Sequence, residues 1–182
     1  MRIYTRKGDD GTTGMLYGGR ISKADPATEA YGTVDEAVAA LGLARALADS
    51  PAAQGLILRL QRDLFVVGAD LAANPDKRDR LEPGVSRVTP HMVTALESLI
   101  DERVAEQALP DHFVVPGANA VSAALDLARA AVRGAERRAV EIRDRGGMVS
   151  DEVMQYLNRL SDLLFVLARW QAGGPEEPSR GD

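Results

Sequence analysis

The sequence predicts an all-α fold, a single-domain five-helix up-and-down bundle, and two observations predict it. Aromatic residues make up only 4% of the 182, while alanine, leucine and arginine are abundant, a composition that favours helix over sheet. Apolar residues recur at helical spacing in five segments divided by proline and glycine, and no stretch alternates for long enough to read as a strand. Short connections between such segments indicate a bundle, and 45% hydrophobic content is enough to bury a real core at this length.

Residues 1–25 precede the first helix as a polar loop. Asp25-Pro26, with Thr28, starts a helix that runs toward Ala48, with Tyr31, Val34, Val38, Leu41 and Ala44 inward. Ser50-Pro51 breaks it. A second helix spans Ala52 to Ala73, its stripe formed by Leu56, Leu60, Leu64, Val67 and Leu71. Residues Asn74 to Arg87, charged and carrying Pro75, Pro83 and Gly84, read as a surface loop. Thr89 caps a third helix with Pro90 at its first position, and Met92, Leu96, Leu99 and Val104 point inward as it runs to Gln107. Pro110 ends it, and "HFVVPGANAV" makes an extended connection. Asn119 or Gly117 starts a fourth helix, which reaches Arg145 and stops at Gly146-Gly147. Ser150 caps the fifth, from Asp151 to Ala172, on a seam of Leu157, Leu160, Leu164, Leu167 and Ala168. The bundle is therefore expected over 26–172, and the polar residues 173–182 as a flexible tail.

Charge and composition exclude several functions. A net charge of −5 gives no general attraction to nucleic acid or an anionic membrane, so an anionic ligand must be met by a local cationic cluster. There is no cysteine, which removes disulfides and thiolate metal sites, and His91 and His112 are the only histidines. The N-terminus lacks the apolar run of a signal peptide, and no apolar stretch reaches the roughly 20 residues that span a bilayer. The protein is expected to be cytoplasmic.

Three stretches could carry chemistry. "YTRKGDDGTTGML" concentrates backbone N–H groups around Gly8, Gly11 and Gly14, hydroxyls at Thr5, Thr12 and Thr13, and cations at Arg6 and Lys7, with Arg20 and Lys23 close behind. That mixture suits a polyphosphate; the alternative is a disordered terminus. The fourth helix places Arg129, Arg133, Glu136 and Arg137 on one face, at i, i+4, i+7 and i+8. It is either a solvated face or one turned inward or toward another subunit, where guanidinium forks would meet phosphate oxygens. Asp35 lies among Tyr31, Val34 and Val38. Inside, it would need a cation, which the arginine face could supply; at the stripe's edge it would be exposed. Asn158, Asp162 and Phe165 line the edge of the fifth helix's seam, where Asn158 is either a structural amide or a ligand contact. "GDDGTTG" lacks the Gly-Lys-Ser/Thr of a P-loop, and no Ser-His-Asp or Cys-His motif is present. Any nucleotide bound here reacts with a nucleophile the protein does not provide.

With these stretches assembled, the chain resembles the PduO-type ATP:cob(I)alamin adenosyltransferases, the corrinoid adenosyltransferases. The likeness runs from "IYTRKGDDGTTGML" through "GGRISK", "AYGTVDEAVAALG" and "FVVPGANAVSAALDLARAAVRGAERR" to "YLNRLSDLLFVLAR", nearly the whole chain in the family's order. The resemblance implies an N-terminal loop wrapped around ATP phosphates, with Thr5, Arg6, Lys7, Gly8, Thr13, Gly14 and Lys23 contacting ATP. Arg133, Glu136, Arg137 and Asn158 would complete the nucleotide site. Asp35 and Arg129 match an interhelical salt bridge, and Phe113 matches the aromatic residue that sits against the corrin and excludes its lower axial ligand.

The same resemblance implies transfer of the 5′-deoxyadenosyl group of ATP to cob(I)alamin, with release of triphosphate and Mg²⁺ as helper. It implies a homotrimer with active sites between subunits, served by a cobalt reductase and supplying a cobalamin-dependent mutase. Catalytic roles fall to Asp35, Arg129, Phe113 and Arg133. The chain departs from the family pattern at Val38, Ala118 and Gly134, the last removing an arginine from the phosphate face. Two rival readings are a cobalamin chaperone with weak turnover and a nucleotide-binding regulatory bundle.

Overall fold

The structure is a computed structural model that describes residues 3–180; the outermost residues of the expected loop and tail, 1–2 and 181–182, lie outside the described residues. Five long helices form: α1 (Pro26–Leu47), α2 (Pro51–Leu71), α3 (Pro90–Glu106), α4 (Ala120–Asp144) and α5 (Asp151–Ala172). The expected all-α bundle is what the chain builds. Each start is capped as its sequence dictates. Asp25, Ser50, Thr89 and Ser150 accept from backbone N–H groups of the first turn, satisfying donors that have no intrahelical partner. Asn119 and Ser122 form a reciprocal capping box at α4.

Two elements escaped the sequence reading. The N-terminal loop contains a hairpin, β1 (Thr12–Gly14) against β2 (Arg20–Ser22), antiparallel with Thr13 opposite Ile21. Three-residue strands are too short to show alternation. The stretch read as surface loop holds a kinked 3₁₀ segment, Pro75–Arg80. It is tied to α2 by the buried Asp70, which pairs with Arg78 and accepts from the Val88 N–H at 3.0 Å.

α1 packs against α4 and α2, and α5 against α4 and α3. The core seam of α1 is Ala30, Val34, Ala37, Leu41 and Ala44, whereas Tyr31 and Val38 are only half-buried. Small residues let α1 and α4 approach closely. At Gly134 an added Cβ would sit 3.1 Å from the Thr33 methyl, so the glycine that departs from the family pattern relieves a tight helix contact. In α3, Val104 is exposed rather than inward; the helix reaches the core at Val93 and Leu96, with Met92, Leu99 and Ile100 packed against it half-buried.

The helix ends define two poles. The hairpin and the C-terminus of α2 lie where α1 begins: Leu16 donates to the Ala72 carbonyl at 2.9 Å, and Asn74 donates back to Leu16 at 3.0 Å. At the opposite pole Asn119, which caps α4, donates through Nδ2 to the carbonyl of Gln171 near the end of α5. The tail, expected to be flexible, returns here. Pro178 bridges Val114, and the 177–179 backbone bonds to 113–115.

Candidate active site

The N-terminal loop is organised by its own donors and acceptors. Asp10 accepts from the backbone and hydroxyl of Thr12 at 2.9 and 2.8 Å, which holds its carboxyl below the usual range, with the nearby Arg20 assisting. Arg20 also bonds the Thr12 hydroxyl and the carbonyl of Lys7. Lys23 donates its ammonium to the Gly8 carbonyl at 2.8 Å and its backbone N–H to Gly11 at 2.9 Å. Arg6 has φ +59°, a left-handed conformation uncommon for a non-glycine residue; its guanidinium lies 5.5 Å from the Tyr4 ring. Thr5 accepts from the Lys7 N–H at 3.4 Å, and Thr13 and Gly14 lie on β1. Thr5, Arg6, Lys7, Gly14 and Lys23 are exposed, so this is a compact, donor-rich turn open to solvent.

The second group of expected residues lies along α4 and α5. Glu136 accepts from the Asn158 amide at 3.0 Å, and the Asn158 carbonyl accepts from Arg159 at 2.7 Å, which reaches Glu97 on α3 at 3.1 Å. Asn158 is therefore a partnered amide whose orientation is set. Arg137 is exposed and donates to the Arg133 carbonyl at 3.2 Å. Arg133 is exposed too, and its guanidinium has no hydrogen-bond partner among the described residues. It faces an open cavity of about 550 Å³ shared with Arg129, Phe113 and Phe165. Phe113 is 86% exposed; a phenylalanine held out beside a cavity is an apolar surface without a partner.

Below that cavity runs a chain of buried charges that sequence reasoning missed. Arg129 Nε donates to one oxygen of Asp126 at 3.1 Å, and Arg169 binds the other. The Arg169 Nε lies 2.6 Å from Glu176 of the tail, and its guanidinium carbon 4.9 Å from the Phe165 ring. Burial pushes the Glu176 carboxyl upward, against the pull of Arg169. A signal was available: Arg169 continues the line of Asn158, Asp162 and Phe165, and Asp126 interrupts a stripe of alanine and leucine.

The expected pairing of Asp35 with Arg129 is not made within the chain. Asp35 is exposed on α1, and Arg129 is engaged by Asp126 on its own helix. The seam of α1 passes through alanines, which turns Asp35 away from α4's inner face. The structure thus brings Phe113, Arg129 and Arg133 together, and Glu136 with Asn158, while the N-terminal loop stands apart. It is anchored on residues between 72 and 86, including Tyr17 to Ser86 at 3.1 Å.

Among the described residues no three histidine, aspartate or glutamate side chains converge as a metal cluster, and no helix is long and apolar enough to cross a membrane. What the site offers is donors and an exposed aromatic ring on a helical bundle, without an evident side-chain nucleophile: the equipment of a protein that aligns reactants. Residues 3–171 match the family model for cobalamin adenosyltransferase, and the chain belongs to that family.

Among curated relatives, a corrinoid adenosyltransferase of Citrobacter freundii is 41% identical over 175 residues, covering 96% of this chain and 97% of the relative. The corrinoid adenosyltransferase PduO of Salmonella typhimurium is 39% identical over 169 residues, 93% of this chain but 49% of that protein; the chain spans about half its length. A phenylalanine-to-alanine variant of the PduO-type ATP:corrinoid adenosyltransferase from Lactobacillus reuteri, complexed with cobalamin and ATP, superposes with TM-score 0.87 at 30% identity, covering 99% of this chain and all of that one. An arginine-to-lysine variant of the same enzyme, complexed with ATP, matches at TM-score 0.87.

Proposed function

We propose that this protein transfers the 5′-deoxyadenosyl group of ATP to cob(I)alamin, forming adenosylcobalamin and triphosphate. The observation that carries the reading is the cavity where an 86% exposed Phe113 stands beside Arg129 and Arg133, in a chain of the cobalamin adenosyltransferase family. Cobalt supplies the electron pair. A cobalt–carbon bond forms at the ribose 5′ carbon as the C5′–O bond breaks, and the departing triphosphate takes that bond's electrons.

Nothing in this step needs a serine, cysteine or histidine, which accords with the absence of such a motif. The protein's share is alignment and charge. The exposed cations Lys23, Arg133 and Arg137 would face the triphosphate, where preorganised donors stabilise the leaving group without reorganising. Phe113 would lie against the corrin and keep a lower axial ligand away. Mg²⁺ bound to triphosphate oxygens would offset further charge.

The functional chain is a homotrimer on this reading, with each site completed by a neighbour. What supports it is the separation of the two halves. The N-terminal loop leans on the end of α2, the Phe113 cavity opens beside the middle of α4, and no hydrogen bond joins them among the described residues. The exposed Asp35 is likewise free to meet an arginine of another subunit. A cytoplasmic enzyme fed by a cobalt reductase and supplying an adenosylcobalamin-dependent mutase completes the proposal.

The test is an anaerobic assay with chemically reduced cobalamin and ATP, read by the absorbance of the cobalt–carbon product and by triphosphate release, with sedimentation equilibrium for assembly. Tight cobalamin binding without product would favour the chaperone reading, and ATP binding without cobalamin binding the regulatory one.

A further inference from the structure

We infer that residues Glu176–Ser179 form a strap that positions Phe113, with Glu176 as its anchor; the inference rests on reading the Phe113 cavity as the corrinoid face. Phe113 lies in the connection between α3 and α4, outside both helices, so something else must hold its backbone. Two hydrogen bonds do. Ser179 donates to the Phe113 carbonyl at 2.7 Å and Val115 donates to the Glu177 carbonyl at 2.7 Å, on either side of the antiparallel bridge between Val114 and Pro178.

The strap is fastened at its root. Gly173 ends α5 in the left-handed conformation, φ +71°, and turns the chain back toward α4. The Glu176 side chain is then only 5% exposed and forms a charge contact, 2.6 Å from the Nε of an Arg169 that is itself 3% exposed, while that Nε and one Glu176 oxygen are buried without a hydrogen-bond partner among the described residues. Burying a carboxylate costs free energy even when it is paired, and a polar tail could avoid that cost by staying in water. Arg169 passes the connection through Asp126 to Arg129, a residue of the cavity wall. One side chain at the root of the tail is thus linked to the cavity's arginine, while the following backbone holds its aromatic ring. Glu176 touches no substrate; it is a positioning residue.

Two variants of the full chain test this. Ser179→Pro deletes the N–H that Phe113 accepts on an exposed segment outside the bundle, and Glu176→Ala releases the anchor. The readouts are the absorption spectrum of cob(II)alamin bound with ATP, which reports how much cobalt has lost its lower axial ligand, the steady-state constants, and thermal unfolding. For Ser179→Pro the expectation is a melting temperature within about 2 °C of wild type, an ATP KM within about twofold, a kcat lower by about tenfold, and a four-coordinate fraction at least about threefold smaller. Glu176→Ala should move the spectrum and kcat the same way and also lose stability. Wild-type spectrum and kcat in both variants would overturn the strap, as would lost stability with an unchanged spectrum. If the wild-type chain itself forms no adenosylcobalamin, the reading beneath fails and takes the strap with it, a result distinct from active wild type and unaffected variants.

Discussion

Where α1 begins and α2 stops, polar groups are held by one another and by the backbone; where α4 begins and α5 stops, they stand on a buried chain of charges. The loop pole is open to solvent: Arg20, Asp10, Thr12 and Lys23 bond within the loop, and each contact can be traded for a phosphate oxygen or water at small net change. At the Phe113 pole, Asp126, Arg169 and Glu176 are each no more than about 5% exposed, so their bonds cannot be exchanged without leaving a charge in the core. The cavity itself reaches from Asp126 to Arg133, the middle of the 25-residue α4, where the neighbouring Gly134 packs against Thr33 near the start of α1. One pole can adapt to its ligand; the other presents a surface made in advance.

The largest effect should come from breaking the rigid pole. Arg169→Ala strands Glu176 and leaves Asp126 with Arg129 alone, and denaturant unfolding should show a loss of about 3 to 5 kcal/mol. A loss below about 1 kcal/mol would mean that this pole is as solvated as the loop. Next, Arg133→Ala removes an exposed guanidinium that has no hydrogen-bond partner among the described residues, so stability should stay within about 0.5 kcal/mol. ATP binding by calorimetry should weaken by about 1.5 to 3 kcal/mol, the range for a charge-assisted contact. Unchanged affinity would remove Arg133 from the phosphate site.

A double-mutant cycle on Asp35 and Arg129 sharpens the comparison at the subunit level. Because the two side chains do not meet within one chain, the coupling should be near zero at protein concentrations where the chain is monomeric. If they pair between subunits, a coupling of about 1 kcal/mol or more should appear with assembly. Coupling in the monomer would refute the geometry described above.

The smallest effect separates the poles by pH. Glu176 is raised above its ordinary 4.5 by desolvation, so the folded state holds its proton more tightly than the unfolded state. Its contribution is fully present below pH 4.5 and is lost as pH rises through the folded value. Asp10 is lowered below 3.8 by its bonds to Thr12, so its contribution is present above pH 3.8 and is lost as pH falls through the folded value. Comparing wild type with Glu176→Gln by unfolding across this range should show the variant gaining on wild type as pH rises. A variant that gains on acidification instead would reverse the assignment.

Caps and periodicity made all five helices legible, because a helix is a local structure: Asp25, Ser50, Thr89, Asn119 and Ser150 satisfy donors within three residues of themselves. The candidate site was legible in its residue types and in their shared face on α4. Periodicity left Asp35 open between the inside and the edge of the α1 stripe, and the structure exposes it because alanines carry the seam that Tyr31 and Val38 suggested. The polarity of "YTRKGDDGTTGML" marked a candidate ligand loop, while its fold as a hairpin required partners at residues 20–22.

By itself, then, the sequence determined the helical bundle, the donor-rich loop, the arginine face and the family, because these depend on spacing along the chain and on motifs kept in order. Only the tertiary structure decided that Asp126 would share Arg169 with Glu176, that the tail would pair with Phe113, and that the loop would rest on the end of α2 while the Phe113 cavity opens between α4, α5 and the connection before α4. Those partners are 43 residues apart for Asp126 and Arg169 and 66 for Ser179 and Phe113 (179 − 113). No periodicity links such positions. Which charge meets which is settled by how closely the helices approach, and in this bundle alanine and glycine set that approach.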